Sequence, residues 1–135
     1  KSGLRSDVLE AMEEISSLTK DNTGGVFNIC LNYGCHAEIV DATKEIAKLV
    51  LDNKLSIDDI TEEEFAKHLY QDLPPIDLMI RTSGEVRLSN FMLWQLSYAE
   101  MYFPDCHWPA FNESEFDKAI RAYNGRERRF GGNSK

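Results

Sequence analysis

The chain has 135 residues, of which 42% are hydrophobic and 28% charged, a composition typical of one globular domain spanning residues 1–135. Its net charge of −8 argues against nucleic-acid binding, which needs a basic surface. There is no apolar run long enough for a transmembrane helix and no apolar segment typical of a signal peptide. Three cysteines without a CxxC spacing predict no disulfide framework and a cytoplasmic location.

The first part of the chain predicts two helices with a strand between them. Apolar residues at helical spacing predict a helix over residues 6–20. The β-rich run at residues 26–31 predicts a buried strand. A second apolar stripe predicts a helix over residues 38–51.

Residues 52–77 are acidic and predict loop plus a short helix, for which Thr61 and Glu64 form a capping-box pattern. Residues 76–80 follow as a second buried strand, ending in the polar loop 81–87.

A third helix is predicted to start at Ser89 and to continue through residues 91–100. If that helix is unbroken, Ser89 and Glu100 lie about 16 Å apart along its axis, so one small ligand does not easily contact both. We therefore expect either a break in the helix or a separate role for Glu100. The last helix is predicted to follow Asn112, with Glu115 three residues on.

Strands separated by helices predict an α/β fold, with a central, mostly parallel β-sheet flanked by helices. Ligands of such sheets bind at the carboxyl ends of the strands. The loops at residues 32–36 and 81–89 are therefore the expected sites.

The second loop holds groups that suit a phosphate. Arg81 and Arg87 present rigid forks of donors, Ser89 adds a hydroxyl, and Gly84 permits close backbone approach. These residues fit a diphosphate site. They equally fit an exposed loop whose arginines pair with Glu85 and nearby acids, and the residue pattern alone leaves both open.

The sequence Arg-Thr-Ser-Gly-Glu-Val-Arg-Leu-Ser-Asn at residues 81–90 is part of a longer motif over residues 77–103. Trp-Pro-Ala-Phe at 108–111, Arg-Arg-Phe-Gly at 128–131 and Leu-Asn-Tyr-Gly at 31–34 accompany it. Together they closely resemble the cis-prenyltransferase family, of the bacterial undecaprenyl diphosphate synthase type. The resemblance covers the whole chain.

The resemblance implies an enzyme that condenses isopentenyl diphosphate units onto farnesyl diphosphate in the presence of Mg²⁺. Arg81, Arg87 and Ser89 are expected to bind the diphosphate of isopentenyl diphosphate, and Glu100 to help bind Mg²⁺ or that substrate. Arg129 and Gly131 match a tail motif that reaches the partner's active site, which implies a homodimer. Membrane contact is expected to be peripheral at most, through the lipid product.

The chain departs from the family in two places. The opening segment that carries the catalytic aspartate has no counterpart, so we expect the C-terminal portion of the enzyme, inactive alone. Cys35 and His36 stand where the family usually has Gly-Arg. We expect the loss of the arginine to weaken anion binding there, with a charged His36 as a partial substitute. Two alternatives stay open: a non-catalytic accessory subunit and a generic phosphate-binding α/β domain.

Overall fold

The computed structural model describes residues 3–71 and 73–126, which divide between Tyr33 and Gly34 into two compact units. In chain order, the helices are α1 (Ser6–Thr19), α2 (Cys35–Leu51), α3 (Glu62–Lys67) and α4 (Glu113–Asn124), and the strands are β1 (Leu78–Ile80) and β2 (Glu100–Tyr102). Single 3₁₀ turns lie at Ile57–Asp59 and Trp108–Ala110. No helix in the described part of the chain is long and apolar enough to cross a membrane.

The first unit contains α1, which confirms the predicted helix, followed by extended chain. The predicted strand over residues 26–31 is wrong: these residues form no ladder, and Val26 and Phe27 are 87% and 89% exposed. A strand needs a hydrogen-bonded neighbour, and residues 3–33 provide no second strand. An apolar run without such a neighbour stays extended and exposed.

In the second unit, β1 and β2 pair in parallel, with Leu78 opposite Glu100 and Ile80 opposite Tyr102. The ladder continues one residue beyond β1, where the backbone N–H of Arg81 donates to the carbonyl oxygen of Tyr102 at 3.0 Å. This pairing confirms the predicted parallel α/β arrangement and places Arg81 at the carboxyl end of β1.

The predicted helix from Ser89 to Glu100 is wrong, because residues 89–99 form successive turns and Glu100 begins β2. Ser89, Asn90 and Met92 have φ values of 51°, 63° and 45°, which a right-handed helix does not accommodate. The helix therefore breaks, and the axial separation expected for Ser89 and Glu100 does not apply.

The core of the second unit lies around the inner face of α2. Apolar burial within that unit involves Cys35, Ala42, Ile46, Leu69, Met79, Met92, Leu96 and Ala119. Met92 and Leu96 belong to the wrongly predicted helix, so the sequence pattern identified buried positions without identifying their backbone conformation.

The predicted caps of two helices are confirmed. Thr61 Oγ1 accepts from the backbone N–H of Glu64 at 3.1 Å, and Asn112 Oδ1 accepts from that of Glu115 at 3.2 Å. Both bonds satisfy an amide that the first helical turn leaves unpaired. In α1, by contrast, the N-cap residue Arg5 makes no side-chain cap bond.

Candidate functional site

Arg81 and Ser89 meet at the carboxyl end of β1. The Arg81 guanidinium donates through Nη1 to Ser89 Oγ at 3.1 Å and to the carbonyl oxygen of Arg87 at 2.5 Å. Arg81 is half-buried, whereas Ser89 is exposed. The guanidinium thus spans the loop from strand end to turn, and it brings together two of the residues predicted to bind a diphosphate.

Arg87 lies on the same loop, with its guanidinium exposed and paired with the carboxylate of Glu85. This is the pairing that the alternative interpretation of the loop anticipated. An exposed pair of this kind stabilises a fold by about 0–1 kcal/mol. A diphosphate, which carries more negative charge than one carboxylate, can therefore compete for Arg87.

The tip of the loop is fixed to the segment that follows β2. Ser83 and Gly84 have φ values of 72° and 64°, and their backbone N–H groups donate to the carbonyls of Cys106 and Pro104 at 2.8 and 3.0 Å. A Cβ built on Gly84 lies 3.0 Å from Asp105 Oδ1. Gly84 therefore allows the loop to pack closely against the segment that contains Asp105. The sequence pattern did not indicate this contact.

Asn90, the residue after the loop at 81–89, bonds to the first turn of α2. Its carbonyl oxygen accepts from the backbone N–H of Cys35 at 2.9 Å, and its side-chain Oδ1 accepts from that of His36 at 2.8 Å. Asn90 therefore caps α2 from 54 residues away in sequence. Sequence reasoning missed this role; the signal was an asparagine, which both caps helices and tolerates positive φ.

Glu100 lies at the start of β2, with its side chain 23% exposed. Its Oε2 accepts from Arg126 Nη1 at 2.7 Å, and the same nitrogen donates to the carbonyl oxygen of Met101 at 3.0 Å. Arg126, which the sequence analysis did not single out, thus neutralises the carboxylate predicted to bind metal. The other predicted tail residues, Arg129 and Gly131, lie outside the described residues.

Glu38 is a buried carboxylate that sequence reasoning did not single out as a site residue. It is 2% exposed and accepts from the backbone N–H of Tyr70 at 3.1 Å and from Gln95 Nε2 at 3.4 Å. The Tyr70 hydroxyl donates to Asp41 Oδ2 at 2.8 Å, which lowers the pKa of Asp41 and raises that of Tyr70. These bonds tie α2 to the segment after α3 and to the turns before β2.

The second unit also contains an open, mostly apolar cavity of about 630 Å³. Its wall includes Ile39, Leu69, Pro75, Leu93, Trp94 and Tyr98. Trp94 is 36% exposed and Tyr98 67%, and Trp94 also stacks obliquely on Phe65 with ring centroids 4.6 Å apart. The cavity therefore leaves large aromatic surface in contact with solvent.

A family model described as putative undecaprenyl diphosphate synthase matches residues 1–131. The chain belongs to this family of prenyltransferases.

Among curated proteins, it is 52% identical over 135 residues to the isoprenyl transferase of Fusobacterium nucleatum, covering 97% of this chain and 56% of that protein. It is 49% identical over 124 residues to the (2E,6E)-farnesyl-diphosphate-specific ditrans,polycis-undecaprenyl-diphosphate synthase of Haemophilus influenzae, covering 91% and 52%. The chain thus spans about half the length of these relatives.

Two solved structures share the fold. Lavandulyl diphosphate synthase from Lavandula x intermedia, crystallised in complex with dimethylallyl diphosphate, matches with a TM-score of 0.92 and 38% identity, over 97% of this chain and 57% of that one. A probable undecaprenyl diphosphate synthase from Campylobacter jejuni matches with a TM-score of 0.79 and 36% identity, over 96% and 59%. Both matches agree with the predicted cis-prenyltransferase fold.

Proposed function

We propose that this chain carries the isopentenyl diphosphate side of a cis-prenyltransferase, which extends farnesyl diphosphate to a long polyprenyl diphosphate such as the undecaprenyl lipid carrier. The observation that carries the proposal is the contact between Arg81 and Ser89 at the carboxyl end of β1. Family membership and the substrate named for the Haemophilus influenzae relative support it.

In this proposal the loop binds the diphosphate by charge and by geometry. Arg81 presents a planar fork of donors that is already oriented by the Arg87 carbonyl and Ser89. Arg87 turns from Glu85 to the ligand, and the Ser89 hydroxyl donates to a phosphate oxygen. The guanidinium groups hold the substrate's diphosphate by charge-assisted hydrogen bonds while the allylic diphosphate departs.

We propose further that Mg²⁺ takes part, bound largely by diphosphate oxygens. The described residues contain no group of three His, Cys, Asp or Glu side chains that could hold a metal, and Glu100 is paired with Arg126. In phosphate-handling enzymes, Mg²⁺ is often bound by only one or two carboxylates together with substrate oxygens. The described residues fit Mg²⁺ in that way only. Glu100 is the carboxylate that would serve, and Mg²⁺ would neutralise diphosphate charge.

A homodimer in the cytoplasm is part of the same proposal. Phe91, Trp94 and Tyr98 are exposed by 39%, 36% and 67%, which is typical of aromatic side chains at subunit interfaces. The free thiols of Cys30, Cys35 and Cys106 suit a reducing compartment. Sedimentation equilibrium tests the dimer: we expect twice the chain mass, and a shift towards the monomer in Tyr98→Asp.

The 135 residues are expected to bind isopentenyl diphosphate without condensing it, because nothing in them resembles the family's opening segment, which carries the catalytic aspartate. An accessory subunit is the second candidate, but the chain retains Arg81, Arg87 and Ser89, which favours the catalytic class.

Isothermal titration tests the proposal. Isopentenyl diphosphate should bind the chain, Arg81→Ala should weaken binding, and Arg121→Ala on α4 should not. Product formation from farnesyl and isopentenyl diphosphates by the chain alone would contradict the expectation that the chain binds isopentenyl diphosphate without condensing it. No binding by the wild-type chain would contradict the proposed site.

A further inference from the structure

We infer that Asn90 is the positioning residue of the diphosphate loop, residues 81–89. It fixes the turn that carries Ser89 against the first turn of α2, and so sets the contact between Ser89 and Arg81. The inference rests on the proposed function for its consequence in binding. The hydrogen bonds of Asn90 go to α2 and not to Arg81, Arg87 or Ser89, so its role is positional and not catalytic.

Two of the hydrogen bonds of Asn90 reach the same helical turn. Its carbonyl oxygen accepts from Cys35 N at 2.9 Å, and its Oδ1 accepts from His36 N at 2.8 Å. The N-cap residue Gly34 makes no side-chain cap bond. Asn90 therefore supplies the acceptors that a local cap residue supplies in other helices, and α2 in return holds Asn90 at two points.

The turn needs this support because its backbone is unfavourable. Ser89, Asn90 and Met92 all have positive φ, a conformation that costs about 1 kcal/mol or more for each residue other than glycine. Asparagine tolerates it better than most residues, whereas serine and methionine do not share that tolerance to the same degree. The bonds to α2 offset part of this cost and keep Ser89 where Arg81 can reach it.

Gly34 lies directly against the side-chain amide of Asn90. A Cβ built at this position lies 2.8 Å from Asn90 Nδ2, closer than real Cβ atoms come to such an atom. An alanine at position 34 therefore has to displace the Asn90 amide, which perturbs the bond from Oδ1 to His36 N. Gly34→Ala thus acts on the same contact from the opposite side, without changing Asn90.

The turn is held from its other side by Arg81, whose Nη1 donates to the Arg87 carbonyl and to Ser89 Oγ. Ser89 and Asn90 are adjacent, so a turn released from α2 also loosens the guanidinium. The contacts run from α2 through Asn90 to Ser89 and Arg81. The first turn of α2 and the diphosphate loop are therefore held together by hydrogen bonds, and a displacement of one displaces the other.

The experiment compares Asn90→Gly with Asn53→Gly in the 135-residue chain. Both residues are asparagines with positive φ, 63° and 55°, but Asn53 lies just beyond the opposite end of α2. Glycine accommodates the backbone of each, so the pair isolates the side-chain bond. Asn90→Asp retains the Oδ1 acceptor and is the rescue variant. Gly34→Ala perturbs the bond between Oδ1 and His36 N from the side of α2.

NMR and titration calorimetry provide three measurements on these variants. The first is hydrogen-exchange protection of the His36 amide, which donates to the Asn90 side chain. The second is the side-chain guanidinium signal of Arg81, which reports its contact with Ser89. The third is the dissociation constant for inorganic diphosphate, measured for all but the Asp variant, whose added charge opposes the anion.

In Asn90→Gly and Gly34→Ala we expect amide protection to fall about tenfold, the Arg81 signal to move, and diphosphate to bind about fivefold more weakly, as for the loss of one net hydrogen bond. Asn53→Gly should match the wild type in all three, and Asn90→Asp should restore the first two.

An unchanged Arg81 signal in both Asn90→Gly and Gly34→Ala overturns the inference, whatever the His36 amide does. An equal change in Asn53→Gly also overturns it, because the effect is then general to α2. If the wild-type chain does not bind diphosphate, the proposed function fails, and the Arg81 signal alone still decides whether Asn90 positions the loop.

Discussion

The two units of the chain differ in how they treat apolar side chains. Among the described residues of the first unit none is buried, and Leu18 and Phe27 are 73% and 89% exposed. In the second unit Leu96 and Ala42 are 2% and 1% exposed. Both units have amphipathic sequence patterns, so the pattern by itself does not produce a core. Burial follows only where another element of the chain supplies the facing surface.

The difference in burial predicts the largest effect on stability. Leu96→Ala removes a side chain from the core of the second unit and should lower the free energy of unfolding by about 2–5 kcal/mol. Leu18→Ala in α1 should change it by less than about 0.5 kcal/mol. Urea unfolding followed by circular dichroism measures both. Equal effects would contradict the contrast between the units.

A second prediction compares two exposed arginines, each paired with an acid two residues away. Arg87 pairs with Glu85 in the diphosphate loop, and Arg5 pairs with Asp7 at the start of α1. Arg87→Ala should weaken isopentenyl diphosphate binding about 10- to 150-fold, because a hydrogen bond to a charged group contributes about 1.5–3 kcal/mol. Arg5→Ala should leave the affinity unchanged. A loss of equal size in both variants would indicate only non-specific charge attraction.

Helix capping gives a smaller contrast. Asn112→Ala removes the side-chain acceptor at the start of α4 and should lower the free energy of unfolding by about 0.5–2 kcal/mol. Arg5→Ala at the N-cap of α1 removes no cap bond and should have almost no effect. Thermal unfolding of the two variants provides the measurement, and a greater loss in Arg5→Ala would be inconsistent with the structure.

The smallest effect concerns pH. The Tyr70 hydroxyl lowers the pKa of Asp41 below 3.8, so this bond stabilises the fold above that pH and ceases to do so as pH falls through the lowered pKa. Tyr70→Phe should therefore show a shallower decline of stability with falling pH in the acid range below about pH 4. Tyr102→Phe is the control. Identical urea midpoints against pH for wild type and Tyr70→Phe would exclude the contribution.

Much of the second unit could be predicted from residue patterns. The caps at Thr61 and Asn112 depend on local spacing, and the end of an apolar run predicts that Arg81 lies at a strand end. Such features depend on neighbours in sequence, and local rules describe them well. The contact between Arg81 and Ser89 could also be predicted, because both residues belong to one short loop.

The errors share one physical cause, which is dependence on distant contacts. Residues 89–99 carry a helical pattern, but positive φ at Ser89 and Asn90 is maintained by bonds to α2, which no local rule reports. Strand β2 exists because Leu78 lies opposite Glu100, 22 residues away. Residues 26–31 have the pattern of a strand but lack such a neighbour within their own unit.

The central claim is that the loop at the end of β1 holds a diphosphate. An amide NMR titration of the 135-residue chain with isopentenyl diphosphate tests it most directly, with isopentenol as the uncharged control. We predict saturable shifts concentrated at residues 81–90 and around Cys35, no comparable shifts in α1, and no response to isopentenol. Shifts spread evenly over both units, or equal shifts with isopentenol, would contradict the account.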